Sequence, residues 1–171
     1  MKMWYVMQVR AGTEEKICAE CAAGIPDSVL EQCFIPYRKE QRKLHGEWSI
    51  KKQVLFPGYV FVVTEDLIEL FDSLKKINGL TKLLKTGDEF VPLKEEEKEF
   101  ILQFGGEDHV VEISKGILEG SSVKVISGPL VGKEGLIKKI NYHKRKAYLE
   151  LEMFRQRQVI EVGLEVLMEK H

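Results

Sequence analysis

The chain has 171 residues, 44% of them hydrophobic, which excludes a disordered tail protein and suffices for one large domain or two small ones. Lys and Arg number 26 against 27 Asp and Glu, a balance that excludes a histone-like polycation and a strongly acidic chaperone. Residues 121–171 contain ten Lys and Arg against six Asp and Glu, a net charge of +4, whereas residues 1–120 have a net charge of −5. The two parts are therefore expected to bind different partners.

The N-terminal part begins with the signals of a strand and a helix. Residues 3–9 are apolar and aromatic without a helical period, which is typical of a buried strand. Thr13 is a suitable N-cap, and Gly24 and Pro26 end the helix that follows. The predicted apolar face of this helix consists of Ile17, Cys18, Cys21 and Ala22. A second strand is expected over residues 30–36.

A basic stretch and a long strand come next. Residues 37–43 are interpreted as a solvated basic stretch, and His45-Gly46 as the turn into a third strand. That strand is expected to run from Trp48 to Val63. Because proline cannot donate a ladder hydrogen bond, Pro57-Gly58 should break it into two halves.

Two further helices complete the acidic part. Asp66 and Glu69 have the spacing of a capping box, and Asn78-Gly79 is interpreted as the end of that helix. A short strand near residues 80–84 and a third helix over residues 95–104 follow. This order of strands and helices indicates an α+β sandwich with an antiparallel sheet.

The C-terminal part is expected to be all-β. The helix-free, glycine-containing segment 105–120 holds the boundary. Beyond it are short alternating or β-branched runs of the kind that build a small barrel, namely residues 122–126, 135–140, 147–154 and 158–162. The expected organisation is therefore an N-terminal domain over residues 1–105, a linker over 106–120 and a C-terminal domain over 121–171.

A glycine-rich turn in the C-terminal part is compared first with a phosphate-binding loop. Gly128 and Gly132 are separated by three residues instead of four, and Glu134 follows Lys133 where such a loop has Ser or Thr. A carboxylate there would repel phosphate. The segment is interpreted as a turn between two barrel strands, and no cofactor is expected.

Cysteines and histidines give no positive signal for catalysis or a metal. Cys18-x-x-Cys21 has the spacing of a zinc or redox pair, but both residues fall on an apolar helix face, where core packing is the favoured interpretation. The histidines are scattered, at His45, His109, His143 and His171. Three cysteines without a disulfide framework, and the lack of a signal peptide and of a membrane span, predict a cytoplasmic protein. Because no catalytic signal is found, the protein is not expected to be an enzyme.

Two basic stretches are candidates for nucleic-acid contact. In the first, cations that can bind phosphate interleave with tyrosines that can stack on unpaired bases. Its members are Lys138, Lys139, His143, Lys144, Arg145, Lys146, Arg155 and Arg157. On charge alone, a solvated hairpin turn is an equally good interpretation. The second stretch, consisting of Arg38, Lys39, Arg42 and Lys43, is more simply a solvated strand end, with DNA contact as the alternative.

Strand alternation gives a sharper prediction for the end of the first stretch. It places Arg155 and Arg157 on one face of a strand. Both should face solvent, because burying two guanidinium groups in so small a barrel would cost several kcal/mol. Phe154 is then expected to turn toward the core.

Four strings of sequence together resemble the NusG family of transcription elongation factors. They are Trp4-Tyr5-Val6, Leu55-Phe56-Pro57-Gly58-Tyr59-Val60, Pro92-Leu93, and Val123-x-Val125-x-x-Gly128-Pro129-x-x-Gly132-x-x-Gly135-x-Ile137, which resembles the KOW motif. The resemblance covers essentially the whole chain. It implies an N-terminal NGN domain that docks on the clamp helices of RNA polymerase, a linker and a five-stranded SH3-like KOW barrel. Carried over by position, the polymerase-binding residues are Trp4, Tyr5, Phe56, Pro57 and Tyr59.

The chain departs from the housekeeping member after Phe154. Residues 155–161 are Arg-Gln-Arg-Gln-Val-Ile-Glu where that family usually has a Gly-Arg pair ahead of Thr-Pro-Val-Glu. Together with the basic segment 143–146, this looks more like a specialised paralogue of the LoaP type, in which the KOW barrel is implicated in binding an RNA hairpin. The resemblance implies a monomeric antitermination factor that binds RNA polymerase and a structured leader RNA, with non-template DNA as a further candidate partner. The alternative is a general NusG-like elongation factor whose KOW domain binds proteins such as Rho or a ribosomal protein.

Overall fold

The computed structural model describes residues 2–79 and 81–167. Its elements in chain order are β1 (Met3–Gln8), α1 (Glu14–Gly24), β2 (Gln32–Phe34), β3 (Tyr37–Leu44), β4 (Glu47–Val54), β5 (Tyr59–Thr64), α2 (Leu67–Leu74), β6 (Lys82–Leu83), β7 (Lys85–Thr86), β8 (Glu89–Phe90), α3 (Glu95–Gly105), β9 (Val110–Val111), β10 (Ser114–Glu119), β11 (Ser122–Ser127), a 3-10 turn (Glu134–Leu136), β12 (Ile137–Asn141), β13 (Lys146–Met153) and β14 (Gln156–Leu167). No helix in these ranges is long and apolar enough to cross a membrane.

The elements group into two compact units. The first unit consists of Met1–Ile35 with Phe56–Lys98, and the second of Pro36–Leu55 with Glu99–His171. The β3–β4 hairpin therefore belongs to the same unit as the C-terminal strands, which the sequence did not predict.

The first unit is built on an antiparallel sheet with strand order β2-β5-β1-β6. Its central strands, β1 and β5, pair along their full length from Met3 opposite Thr64 to Gln8 opposite Tyr59. β5 is apolar on both faces, and Val60, Phe61 and Val62 are completely buried. Such a continuous apolar strand is the core of its unit, as the sequence predicts.

Helix α1 begins where the sequence predicts it, but it is held differently. Thr13 occupies the N-cap position without a side-chain capping bond. The carboxylate of Glu14 instead accepts a hydrogen bond from the Gly12 amide at 2.7 Å. Ile17 and Cys21 are buried, whereas Ala22, which was expected on the apolar face, is exposed.

Helix α2 has one half of the predicted capping box, since the Asp66 amide donates to the Thr64 hydroxyl instead of to Glu69, and it has an earlier end. The side chain of Asp66 accepts a hydrogen bond from the Glu69 amide at 3.2 Å. Leu70 and Leu74 are the buried positions. The helix stops at Leu74, before the predicted end at Asn78-Gly79. Of the strand expected near residues 80–84, position 80 lies outside the described residues and Lys82–Leu83 is observed.

The second unit contains the predicted five-stranded C-terminal sheet, with strand order β11-β10-β14-β13-β12. β10 and β14 are parallel and the other pairs are antiparallel. The sheet begins earlier than expected, because β10 lies within the segment 106–120 that was interpreted as a linker. We refer to these five strands as the C-terminal sheet.

A smaller three-stranded sheet, with order β4-β3-β9, completes the second unit. β3 and β4 pair from Tyr37 opposite Val54 to Leu44 opposite Glu47, and the predicted turn at His45-Gly46 has positive φ at both residues. β3 packs against β14 of the C-terminal sheet. The interpretation of residues 37–43 as a solvated basic stretch is wrong at Arg38 and Glu40, which are buried in strand β3, and holds at Arg42 and Lys43, which are exposed.

Candidate nucleic-acid interface

The basic C-terminal segment lies on β12, β13 and the start of β14. Along β13, Ala147, Leu149 and Leu151 are buried, so Lys146, Tyr148 and Glu150 point to the opposite side. Opposite Tyr148 are Lys139 on β12 and Glu161 on β14. We call this side of β12–β14 the outer face.

A register shift in β12 brings two consecutive lysines to the outer face. The pairing of β12 with β13 shifts between Ile137 and Lys139, which is the signature of a β-bulge. As a result Lys138 forms an ion pair with Glu150 at 3.0 Å, while the Lys139 ammonium lies 5.9 Å from the centre of the Tyr148 ring. Strict alternation would have placed the two side chains on opposite sides.

Arg157 completes a small group around the same carboxylate. Its guanidinium forms an ion pair with Glu150 at 2.8 Å, and its side chain is 71% exposed. The pKa of Glu150 is lowered by its hydrogen bond with Lys138 and by the charges of Arg157 and Lys138. We call Lys138, Lys139, Tyr148, Glu150 and Arg157 the open patch. It carries three cations against one anion beside an aromatic ring.

The turn between β12 and β13 carries two more of the predicted residues. His143 and Lys144 are exposed. The Asn141 side chain accepts a hydrogen bond from the Lys144 amide at 3.0 Å, and Arg145 ends the turn with φ of 56°. This hydrogen bond orders the turn at one end of β13, and the His143 and Lys144 side chains are directed to solvent.

Arg155 lies in a different turn, at the far end of β13. Phe154 and Arg155 both have positive φ, 58° and 59°, and join β13 to β14. As predicted, Phe154 is buried and Arg155 and Arg157 are exposed. The strand alternation invoked for the two arginines is wrong, because Arg155 belongs to the turn. β13 spans eight residues, about 23 Å, so the predicted cations do not form one compact patch.

Arg145 and Lys146 differ from the other predicted RNA-binding residues, because the β3–β4 hairpin covers them. The Arg145 guanidinium lies 3.8 Å from the centre of the Trp48 ring. It also donates a hydrogen bond to the Gln41 side chain and forms an ion pair with Glu165 at 3.6 Å. Cation–π stacking of this kind leaves one face of the guanidinium inaccessible.

Lys146 reaches into a buried cluster centred on Glu40. The Glu40 carboxylate is fully buried and forms ion pairs with Arg38 at 2.7 Å, Arg42 at 2.9 Å and Lys146 at 3.1 Å. Glu161 joins the cluster through Lys146 at 3.2 Å and Arg38 at 3.5 Å. Burial would raise the pKa of Glu40, but the hydrogen bonds and charges of Arg38 and Lys146 bring it to about 2.

The cluster changes the interpretation of the second basic stretch. Arg38 is buried and paired, so its prediction as a DNA-binding residue is wrong for this arrangement. Lys39 forms an ion pair with Glu112 at 2.9 Å, and Lys43 lies 5.9 Å from the centre of the Trp48 ring. Arg42 is about half-exposed while paired with Glu40. Three of the four candidates thus keep solvent access.

Two hairpin residues of this interface, Glu40 and Trp48, were missed by sequence reasoning. One signal was present: Glu40 sits between Arg38 and Arg42 at the two-residue period of a strand, so all three share a face. Gly163 is a second signal, because a Cβ atom at this position would lie 2.6 Å from the Lys39 carbonyl oxygen. Only glycine allows β14 to approach β3 this closely.

The polymerase-binding candidates fall into two classes in the first unit. Phe56 and Tyr5 are buried, and the Phe56 ring packs 5.9 Å from that of Phe61. Pro57 is exposed, and Trp4 and Tyr59 are partly exposed. The Trp4 ring contacts Phe34 edge-on at 5.2 Å. Surface contact is therefore available to Trp4, Pro57 and Tyr59, while Phe56 supports them from the core.

A buried carboxylate fixes the turn that presents Pro57 and Tyr59. Besides the bond from the Gly12 amide, Glu14 accepts a hydrogen bond from the Gly58 amide at 2.8 Å. The Gly58 carbonyl in turn accepts one from the Val9 amide at 2.9 Å. Gly58 has φ of 86°, which favours glycine. The Pro57-Gly58 break is thus an ordered turn, as predicted.

The glycine-rich turn behaves as the sequence predicts and is held by a serine. The Ser114 hydroxyl, fully buried, accepts a hydrogen bond from the Leu130 amide at 3.0 Å. A Cβ at Gly128 would lie 2.5 Å from the Ser114 Cα. Glu134 accepts a hydrogen bond from the Val125 amide at 3.1 Å and so closes the turn onto β11. The Glu134 carboxylate is thus used to connect the turn to the sheet.

Comparison with known proteins gives matches over both parts of the chain. A family model described as transcription termination factor nusG matches residues 2–102, and the KOW motif matches residues 119–150. The transcription termination/antitermination protein NusG of Bacillus subtilis is 28% identical over 170 residues, covering 94% of each chain. That of Thermus thermophilus is 24% identical over 172 residues, covering 93% of this chain and 94% of its own.

A solved structure, described as domain interaction in Thermotoga maritima NusG, is also similar. Its TM-score is 0.62 at 25% identity, and the match covers 95% of this chain and 94% of that one. The similarity in fold and sequence thus extends over nearly the full length of each relative.

Proposed function

Because the chain belongs to the NusG family of transcription termination/antitermination factors, which bind RNA polymerase and are not enzymes, we propose that it is an antiterminator that also captures a structured leader RNA. In this proposal the NGN part binds the clamp helices of the polymerase, and the outer face of the C-terminal sheet binds the RNA. Both contacts would be made in the cytoplasm, by a monomer. Tethering the nascent message would disfavour hairpin-driven termination.

The observation that carries the RNA part is the open patch. Lys138, Lys139 and Arg157 present three cations around one carboxylate and the Tyr148 ring. Phosphate oxygens can replace Glu150 as the partner of Lys138 and Arg157 and can also bind Lys139, and the ring can stack on an unpaired base. Sheet surfaces that combine aromatic rings with cations are a common way to bind unpaired nucleotides.

The β3–β4 hairpin divides the RNA-binding residues into two groups. Lys138, Lys139, His143, Lys144, Arg155 and Arg157 are accessible as the molecule stands. Arg145 and Lys146 are held by the hairpin through Trp48 and Glu40. We therefore propose that initial RNA capture uses the accessible group, and that Arg145 and Lys146 join after the hairpin separates from the C-terminal sheet.

Separation of the hairpin would also release its own cations. Lys39, Arg42 and Lys43 lie on β3 and retain access to solvent. On the polymerase they are the residues proposed to contact non-template DNA, through its phosphates. The exposed Trp4, Pro57 and Tyr59 are the proposed polymerase contacts.

A gel-shift titration against salt tests RNA capture. The probe is a pool of stem-loop RNAs with randomised loops, and the variant is Lys138→Ala with Lys139→Ala. The matched control is Lys115→Ala with Lys124→Ala, two exposed lysines on β10 and β11 of the same sheet. We expect the outer-face variant to lower affinity and to reduce the slope of log K against log salt by about 2, and the control to change neither. Equal effects of the two variants would contradict the proposal.

A second candidate function rests on exposed apolar residues of the C-terminal sheet and of its glycine-rich turn. Ile126, Val131 and Val159 are each about half-exposed. A protein partner, such as Rho or a ribosomal protein, would bury these side chains and needs no cationic patch. A general elongation factor of this kind would bind the RNA pool no better than the Lys138/Lys139 variant does.

A further inference from the structure

Three cysteine thiols meet between α1 and β2 in the first unit. Cys18 and Cys21 lie on consecutive turns of α1, and Cys33 lies on β2. The Cys18 thiol donates a hydrogen bond to the Cys33 carbonyl oxygen at 3.3 Å. The packing of α1 against β2 thus places Cys18, and Cys21 one turn further along the helix, beside Cys33. All three thiols are free. Sequence spacing suggested only the Cys18-x-x-Cys21 pair, and the fold adds the third.

The three thiols differ in access and in acidity. Cys21 is fully buried, whereas Cys18 and Cys33 are partly exposed. A hydrogen bond from the Cys33 side chain, which favours the thiolate, lowers the pKa of Cys18 against the effect of burial. The hydrogen bonds with Cys18 and Cys21, together with burial, raise the pKa of Cys33. Since the thiolate is the nucleophile, Cys18 is the reactive, accessible thiol and Cys33 the protonated neighbour.

We propose that Cys18 and Cys33 are a reversible oxidation site, at which a hydroperoxide joins α1 to β2 through a disulfide bond. The Cys18 thiolate attacks one oxygen of the peroxide, the O–O bond breaks, and Cys18 becomes a sulfenic acid as hydroxide or alkoxide leaves. The Cys33 sulfur then attacks the Cys18 sulfur, the S–O bond breaks, and the Cys33 proton leaves with the hydroxyl group as water. The two thiols lose two electrons, which reduce the peroxide, and a dithiol reverses the reaction.

The bond would form beside the proposed polymerase surface. Cys33 pairs with Val62 of the central strand β5. The next residue, Phe34, has its ring 5.2 Å from Trp4 and 5.3 Å from Phe61. A crosslink at Cys33 would therefore restrain the edge strand that supports Trp4. This inference is independent of RNA binding.

Peptide mapping of the full-length protein tests the proposal. Trypsin leaves all three cysteines between Lys16 and Arg38 in one peptide, but cleavage after Glu20 and Glu31 places each in its own. After treatment with hydrogen peroxide and alkylation, we expect loss of two of the three thiols, a linked pair of peptides containing Cys18 and Cys33, and recovery of both thiols with dithiothreitol.

Two variants separate the proposed pair from its neighbour. Cys33→Ser should abolish the linked peptides and leave Cys18 as a sulfenic acid that dimedone traps, whereas Cys21→Ser should preserve the Cys18–Cys33 link. If a variant does not fold, the wild-type peptide map decides alone. Retention of all three thiols at a peroxide dose that oxidises glutathione, or a link that involves Cys21 instead of Cys33, would overturn the proposal.

Discussion

The Arg145 guanidinium lies 3.8 Å from the centre of the Trp48 ring, so a hairpin indole covers one of the cations that the sequence assigns to RNA. The next residue, Lys146, is held by Glu40 of the same hairpin at 3.1 Å. Two adjacent cations of the C-terminal sheet are thus occupied by one aromatic ring and one carboxylate, in the places where RNA would offer a base and a phosphate. The hairpin and an RNA are therefore expected to compete for Arg145 and Lys146.

Replacing Trp48 should strengthen RNA binding. In Trp48→Ala, Arg145 loses a cation–π contact of about 1 kcal/mol, so the affinity for the stem-loop pool should rise roughly fivefold. Ile50→Ala is the matched control, since Ile50 is an exposed apolar residue of the same strand. Gel shifts at one fixed salt concentration measure the effect. Weaker binding by Trp48→Ala alone would mean that the indole assists RNA binding.

Removing the Glu40 charge should destabilise the second unit in a pH-dependent way. Glu40→Gln leaves buried cations without their carboxylate, which costs about 3 kcal/mol at neutral pH. The folded-state pKa of Glu40 is about 2, below its ordinary 4.5, so its stabilising contribution is present above pH 4.5 and is lost as the pH falls toward 2. Urea unfolding of both proteins between pH 7 and 2 should therefore show curves that converge on acidification. A constant difference across this range would contradict the assignment.

Alanine variants of Phe56 and Tyr59 should distinguish an effect on stability from an effect on polymerase binding. Phe56 is buried, so Phe56→Ala should lower the free energy of unfolding by about 3–5 kcal/mol. Tyr59 is partly exposed beside the Pro57-Gly58 turn, so Tyr59→Ala should weaken polymerase binding by about 2 kcal/mol and leave the unfolding free energy nearly unchanged. Thermal unfolding and polymerase pull-down on the same samples compare the two. Normal polymerase binding by a folded Tyr59→Ala would show that the contact lies elsewhere.

Arg157 should contribute RNA selectivity beyond its charge. Arg157→Lys keeps the cation, so the salt slope should change little, but it loses the planar fork that can pair with a guanine edge. Discrimination between a matched and a scrambled hairpin should then fall, while Lys144→Ala, which removes a turn cation, should weaken both RNAs alike. If Arg157→Lys and wild type discriminate equally, Arg157 contacts only phosphate.

The elements and the core were largely predictable, because they follow from local patterns. The apolar run of β5, the cap at Asp66 and the break at Pro57-Gly58 each depend on residues close together in the chain. The exposure of Arg157 and the burial of Phe154 followed from the cost of burying charge. The turn that holds Arg155 could not be predicted in this way, because positive φ at two non-glycine residues has no strong local sequence signal.

The contacts of the candidate interface could not be predicted, because they join distant segments. Glu40 and Lys146 are more than a hundred residues apart, and nothing near either one specifies the other. The bulge in β12 that turns Lys138 to the outer face depends on pairing with β13. The same is true of Cys33, whose place beside Cys18 depends on the packing of β2 against α1.

Terminator readthrough by purified RNA polymerase tests the central claim most directly. Templates that encode a leader with an intact stem-loop, or with a scrambled one, are transcribed with the wild-type protein, the Lys138→Ala/Lys139→Ala variant or the Lys115→Ala/Lys124→Ala control. We expect readthrough to rise only with the intact stem-loop, to be lost in the Lys138/Lys139 variant and to be retained in the control. Equal readthrough on both templates, unaffected by the Lys138/Lys139 variant, would contradict RNA capture by the outer face and favour a general elongation factor.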